Sequence, residues 1–422
     1  MKSLLALLWG RTARNSALVI GSNIAYGILV ISFIIITSRI LGPELFGLFS
    51  ICIAIFGLSF DILSLGTSQS LIRFIALHTG RKINTAFQFA RAVFLLRMFE
   101  SVAVMAIAVI VAKFISVIVY TDGRLLVPLI ITLTLAGGNL LVDFFASVLQ
   151  GQEKFSQSAL ISLANSSIRI VSLVVLVTTG SLSVITAVIA FSLGPWIAAG
   201  LGFLLTPKKY LAVSVPPTII SQLFHFSKWI TLWSSTAALV GRIDILILGK
   251  FTSAYETGIY AAASRLATGF ILIGSSYASV LTPKVSRNIH NPTSLRRLFR
   301  LISVSVVMIS STMALVAFLA PWIIPTVFGP KYLSAVPVFQ TLTIGSIFFM
   351  LSLPANISLF AMGRAKFIGV QSLIQVTILV LLSLKLIPQF GAQGAAISLS
   401  IGYFCTALVS SVYASKTLAS KT

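Results

Sequence analysis

Five cations and four carboxylates stand inside stretches that are otherwise apolar: Arg97, Arg169, Lys228, Arg242 and Arg265, against Asp61, Glu100, Asp143 and Asp244. On insertion scales a charge at the centre of a membrane helix costs roughly 2.5–3.5 kcal/mol. Such groups therefore face protein or a wet cavity, and they mark substrate or ion paths by default. A guanidinium forks onto phosphate oxygens, so the cations point to an anionic, phosphate-bearing ligand. A buried carboxylate can exchange a proton or hold sodium, which makes Asp143 and Asp244 the ion-coupling candidates. The competing reading for all of them is a plain ion pair between helices.

Helical geometry sorts these groups at about 100° per residue. Lys228, Ser235 and Arg242 fall within about 40° of one another on one helix wheel. Asp244 lies on nearly the opposite face and needs a partner from another helix. Ser158, Ser162, Asn165, Arg169 and Ser172 form a second stripe, and Arg265, Thr268, Ser276 and Ser279 a looser third. Polar stripes either glue helices or line water, and the arginines favour lining. The three stripes are expected to converge on a positively charged cavity, with Arg169, Arg242, Arg265, Lys228 and Arg97 as its substrate-binding cations. Arg97 has an alternative, because Glu100 is three residues away and can pair with it directly. Asp61 is explained by snorkelling to the interface.

Nothing in the chain resembles a nucleophile with its base or a phosphate-cradling glycine loop. His78, His225 and His290 show no metal-ligand spacing, and Cys52 and Cys405 read as inert packing thiols. No catalytic residue, metal or cofactor is expected.

The elements that must position these groups follow from composition. Of 422 residues, 57% are hydrophobic and only 9% charged, with mean hydropathy +1.05. A soluble domain carries roughly 25% charged residues, so lipid must be the solvent. The reading is an all-α integral membrane protein of about twelve transmembrane helices. The apolar stretches run from Ser16–Ser38 to Ala392–Tyr413, with the fifth at Phe155–Thr179, the seventh at Phe224–Leu248 and the eighth at Glu256–Thr282. The Leu4–Trp9 run is short for a cleavable leader and is followed by Arg11 and Arg14, so Ser16–Ser38 reads as a first uncleaved span.

A net charge of +22 could suggest nucleic acid, but the cations alternate between loops. One side has Arg39, Lys113, Arg124, Lys250, Lys331 and Lys385, and the other side holds most of the rest. That asymmetry places both termini in the cytoplasm and argues against a nucleic-acid partner; the localisation expected is the cytoplasmic membrane. Thr67–Arg91 and Lys284–Arg300 read as basic amphipathic stretches on anionic membrane lipids.

The chain also repeats. Ser38–Gly47 aligns with Gly249–Gly258 at an offset of 211 residues, each with a cation eight residues before its closing glycine, and the same offset lays Arg73 on Lys284. Gly151-Gln-Glu-Lys-Phe155 matches Gly363-Arg-Ala-Lys-Phe367 one residue further on. The offset is half the chain. It predicts two six-helix lobes, residues 1–210 and 211–422, related by a pseudo-twofold axis along the membrane normal with a cavity between them.

Arg39-Ile-Leu-Gly-Pro-Glu-Leu-Phe-Gly47 resembles the first-loop signature of the polysaccharide-transport (O-antigen flippase) branch of the multidrug/oligosaccharidyl-lipid/polysaccharide exporter superfamily. Gly241-Arg-Ile-Asp244, Leu248-Gly-Lys-Phe251 and Gly258-Ile-Tyr260 are similar to that branch's seventh-span pattern. Leu149-Gln-Gly-Gln-Glu-Lys-Phe155 looks like its loop after the fourth span. The resemblance covers nearly the whole chain. It implies a V-shaped central cavity, alternating access, and a cargo of the polyprenyl-pyrophosphate-linked oligosaccharide type. Cation antiport, by proton or sodium, is common in the superfamily, and the matched motif carries Arg242 and Asp244. The rival readings are a multidrug/cation antiporter of the same superfamily, a membrane glycosyltransferase or ligase, and a purely structural scaffold. Arginines in a cavity should repel organic cations, and the external loops hold few carboxylates.

Overall fold

The computed structural model describes residues 11–79, 82–288, 292–362 and 364–419. Arg81, His290, Gly363 and the Leu4–Trp9 run lie outside the described residues. Among the described residues the regular elements are helical and no strand occurs. Hydrocarbon offers no hydrogen bonds, so a spanning segment must satisfy its own backbone.

The first helices are α1 (Arg11–Leu63), α2 (Thr67–His78), α3 (Ile83–Lys113), α4 (Leu126–Leu135) and α5 (Gly137–Gly151). Next come α6 (Phe155–Thr178), α7 (Val184–Leu205), α8 (Pro217–Val240), α9 (Ile243–Phe251) and α10 (Ala254–Asn288). The chain closes with α11 (Pro292–Phe318), α12 (Ala320–Phe328), α13 (Ala335–Ala361) and α14 (Ala365–Ala419). Among the described residues nine helical stretches are long and apolar enough to cross a membrane.

Two of the nine are about twice the roughly 20 residues that a crossing needs: Gly21–Leu63 has 43 and Phe367–Lys416 has 50. Both fold back at a glycine. In α14 the turn is Gly391, at φ +54°. Phe367 stacks on Tyr413 with ring centroids 3.9 Å apart, and Gln371 Nε2 donates to the Thr406 carbonyl at 2.9 Å. A straight helix would hold Phe367 and Tyr413 roughly 69 Å apart. In α1 the turn is Gly42, at φ +75° and followed by Pro43. Phe33 and Phe56 both lie against the ring of Phe191, at 5.6 and 5.7 Å. Only glycine adopts this left-handed geometry without strain.

By packing the chain divides into two units. One comprises the residues through Leu41 together with Cys52–Ala238; the other comprises Gly42–Ile51 and everything from Leu239 onward. The first unit's core joins Leu71, Phe89, Val93, Phe144, Phe145 and Tyr210. Ile219 and Leu223 of α8 pack into it, which explains why the packing division falls later than the halfway point of the sequence repeat. The second unit's core includes Val285, Ile302, Met313, Met350 and Ile357. Large apolar side chains such as Phe99, Ile110, Leu204 and Phe318 stand 70% or more exposed, as expected where hydrocarbon replaces water.

The repeat reappears as a contact inside the second unit. Gly47 and Gly258, one repeat offset apart, pack against each other. A methyl group on Gly47 would overlap the Ala254 carbonyl and lie 3.0 Å from the Gly258 nitrogen. A methyl on Gly258 would overlap the Pro43 carbonyl and lie 3.0 Å from the Gly47 nitrogen. Pro43 and Ala254 are themselves 211 residues apart, so the contact maps onto itself under the repeat. Such self-complementarity is what a local twofold axis produces.

The amphipathic stretch after the second span forms α2, with Leu71 and Ile75 buried and Arg73 exposed. The Arg73 guanidinium sits 4.3 Å over the Phe226 ring. Arg91, read with this stretch as a headgroup contact, donates to the carbonyls of Leu211 and Val213, both at 2.6 Å. It anchors the segment between α7 and α8.

Candidate functional site

The intramembrane charges gather in three places. The first is the joint between α1 and α2, where Leu65 and Gly66 take positive φ. Gly66 has no room for a side chain: a methyl would lie 2.8 Å from the Ile230 side chain and the Thr231 nitrogen. The break frees carbonyls at the end of α1, and Arg97 of α3 meets them. Its guanidinium donates to the Leu63 and Ser64 carbonyls, each at 3.1 Å, and to the hydroxyls of Thr67 at 2.8 Å and Ser68 at 3.1 Å. It also pairs with Glu100 at 2.9 Å and reaches Asp143 of α5 at 3.6 Å. Ser68 donates its hydroxyl to Asp143. Arg97 is fully enclosed, so the direct pairing with Glu100 is present, and Asp143 is an additional partner. Asp61 on α1 acts electrostatically on Asp143.

The second place surrounds Arg169 on α6, in the first unit. The side chain is 4% exposed. Its Nε donates to the Phe191 carbonyl at 2.9 Å, and the guanidinium lies 3.8 Å over the same residue's ring. Tyr26 is a further hydrogen-bond partner. A methyl on Gly194 would lie 2.8 Å from Arg169 Cγ and 3.0 Å from Asn165 Oδ1. Glycine thus lets α7 approach closely enough for the carbonyl contact. On the same stripe, Ser158 accepts from Gln150 Nε2 at 3.0 Å, joining α6 to α5. These parts of the stripe hold helices together.

The third place is in the second unit, where the seventh apolar stretch breaks. α8 ends at Val240 and α9 starts at Ile243, so the wheel that aligned Lys228, Ser235 and Arg242 does not run through to Arg242. The physical cause is the poor helix-forming Gly241 at the joint. Lys228 is exposed on α8. Arg242 is the N-cap residue of α9, and Asp244 lies in its first turn, where a carboxylate complements the helix dipole. Asp244 Oδ1 accepts from the Ile245 nitrogen at 2.7 Å, and Oδ2 accepts from the Tyr260 hydroxyl at 2.5 Å. The partner on another helix that the sequence demanded is therefore Tyr260 of α10. Arg265, also on α10, feels the attraction of Asp244 and the repulsion of Arg242. Tyr403 of α14 is a further electrostatic neighbour of Asp244. Arg265 thus lies within electrostatic reach of one carboxylate and one guanidinium, and both arginines are partly exposed.

The structure brings together Arg97 with Asp143, and Arg265 with both Asp244 and Arg242; Arg169 has its own aromatic enclosure. Sequence reasoning missed Tyr260, Tyr403, Phe191 and Ser68, because an aromatic or a serine in an apolar run carries no signal of its partner. Among the described residues no group of three or more His, Cys, Asp or Glu side chains is placed to hold a metal ion.

Comparison with known proteins gives a consistent picture. A family model described as polysaccharide biosynthesis protein matches residues 36–337. A Shigella flexneri protein named as a candidate O-antigen transporter is 23% identical over 387 residues, spanning 88% of this chain and 90% of its own length. The fold matches an inward-facing multidrug resistance MATE family transporter of the MOP superfamily at TM-score 0.78 and 16% identity, covering 94% of each chain. It matches the lipid II flippase MurJ at TM-score 0.72 and 16% identity, covering 94% of this chain and 86% of that one.

Proposed function

Because the chain belongs to the polysaccharide biosynthesis protein family, we propose that it is a flippase moving a lipid-linked oligosaccharide or polysaccharide precursor across the cytoplasmic membrane. The observation that carries this reading is the partly exposed Arg265 guanidinium of α10, set within electrostatic reach of Arg242 and Asp244, a basic site that suits the phosphates of a polyprenyl-pyrophosphate carrier. The transporter and flippase relatives support the same reading.

In this proposal the chain is organised as two six-helix lobes, residues 1–210 and 211–422, and alternates between inward-open and outward-open states. Twelve spans follow if the two folded-back helices count twice and α8 with α9 supplies one crossing. Both termini are cytoplasmic, and the exposed basic residues of α2 rest on anionic lipids. Arg242 and Arg265 hold phosphates and acidic sugars, while the lipid tail stays in the bilayer. Arg97 braces the α1–α2 joint. A proton or sodium gradient drives the cycle through Asp143 or Asp244. No covalent step is involved.

The test is transport of a labelled lipid-linked oligosaccharide in proteoliposomes by Arg242→Ala, Arg265→Ala and Arg169→Ala. A charge-assisted hydrogen bond to phosphate contributes about 1.5–3 kcal/mol, so Arg242→Ala and Arg265→Ala should each slow transport at least about tenfold. Arg265→Lys should retain part of the rate. Full transport by all three alanine variants would overturn the site. Efflux of organic cations in place of the lipid-linked sugar would favour the multidrug reading.

A further inference from the structure

A basic site accounts for the phosphate end of the cargo only. A sugar ring carries hydroxyls at its rim and C–H groups on its faces, and the second unit holds groups of the matching kind beside Arg265. Tyr403 of α14 lies within electrostatic reach of Asp244, which in turn acts on Arg265. Its ring meets the ring of Phe349 of α13, with centroids 5.6 Å apart and planes at 59°. Both aromatics are partly exposed. Tyr260 donates its hydroxyl to Asp244, whereas the Tyr403 hydroxyl makes no hydrogen bond among the described residues.

Two carboxamides stand next to this pair. The Cγ of Gln375, on the first half of α14, lies 3.7 Å from the position that a methyl on Gly402 would take, one residue before Tyr403. Gln375 is partly exposed and makes no hydrogen bond among the described residues. Four residues earlier on the same helix face, Gln371 is 5% exposed. Its Nε2 donates to the Thr406 carbonyl, and its Oε1 is buried without a partner. An unbonded polar group is costly inside a membrane span, so three of them beside an aromatic pair point to a polar ligand.

We infer that Tyr403, Phe349, Gln375 and Gln371 form the subsite for the sugar ring bonded to the pyrophosphate. The inference rests on the flippase reading and assigns sugar recognition to α13 and α14, separately from the phosphate site at Arg265.

Chemistry selects the sugar from the three parts of the cargo. The isoprenoid tail would leave the hydroxyl and both carboxamides unbonded. Ionised phosphate oxygens only accept, so they cannot satisfy Gln371 Oε1, which is itself an acceptor. A sugar hydroxyl does both: it donates to Gln371 Oε1 and accepts from the Gln375 amide or the Tyr403 hydroxyl. The C–H face of the ring suits the electron-rich face of an aromatic side chain. Few polar groups among aromatic ones is also the usual make-up of a small-molecule site. None of the four side chains is charged, so the subsite favours a neutral ring. The phosphate bonded to that ring then points toward Arg265, which Asp244 connects electrostatically to Tyr403.

The test is binding to the purified protein in nanodiscs of polyprenyl pyrophosphate, bare or carrying one glucose, galactose or N-acetylglucosamine. In the wild type at least one of these sugars should raise the affinity over the bare lipid by about tenfold or more. Tyr403→Phe, which keeps the ring and its packing, and Gln375→Leu should each lower that ratio about two- to tenfold and leave the affinity for the bare lipid unchanged. Arg265→Ala should weaken both kinds of lipid and keep the ratio. A ratio that neither Tyr403→Phe nor Gln375→Leu moves, or a wild type that binds the bare lipid as tightly as all three sugar-bearing ones, would overturn the subsite alone. A wild type that binds none of the four lipids would overturn the flippase reading on which the subsite rests.

Discussion

Gly258→Ala is expected to destabilise the fold by about 3 kcal/mol or more. Its added methyl would overlap the backbone carbonyl of Pro43, and the mirror change Gly47→Ala would overlap the carbonyl of Ala254. A side chain in the way can rotate aside; a helix carbonyl cannot. Overpacking a core ordinarily costs about 1–3 kcal/mol, and here the two backbones must part, so the cost lies at or above the top of that range. Gly21→Ala is the control, because a methyl there meets nothing within 4 Å. Size-exclusion profiles and thermal unfolding in detergent give the readout, and the buried Cys52 thiol is a probe that reacts with a dye on unfolding. A Gly258→Ala protein as stable as Gly21→Ala would show that the reciprocal contact is absent in the membrane.

Arg97→Ala should destabilise the first unit by about 3–5 kcal/mol, the range seen when one partner of a buried pair is removed. The loss strands Glu100 and Asp143 and uncaps the Leu63 and Ser64 carbonyls. Much of that cost is the uncompensated negative charge. Adding Glu100→Gln to Arg97→Ala should therefore recover part of the stability, a coupling that a double-mutant cycle on thermal unfolding measures. Strict additivity would mean that the pair contributes nothing beyond packing.

Parts of this architecture were legible in the sequence because their causes are local. Lipid as solvent follows from composition. The positions of the charges inside apolar runs are plain, and the Gly47–Gly258 match could be read as a repeat because close helix approach admits only glycine. The direct Arg97–Glu100 pairing follows from helical spacing. Other features depend on long-range contacts that no periodicity encodes. The break at Gly241–Arg242 separates Lys228 from Arg242, and a single glycine in an apolar run is weak notice of it. Tyr260 reaches Asp244 across 16 residues, and the Phe191 carbonyl reaches Arg169 across 22. The fold-back at Gly391 is clear only once Phe367 stacks on Tyr413. Packing also reassigns chain segments: Gly42–Ile51 belongs with the second unit although α1 begins in the first.

The central claim is that this chain moves an anionic lipid-linked sugar between leaflets. It is tested most directly with liposomes that carry a fluorescent polyprenyl-pyrophosphate oligosaccharide and the purified protein, treated with a quencher that cannot cross the membrane. The account predicts that the quenched share rises from the outer-leaflet pool to nearly all of the label, and that Arg242→Ala with Arg265→Ala returns it toward the protein-free value. Quenching confined to the outer-leaflet pool, at a protein density giving every vesicle a copy, would contradict it.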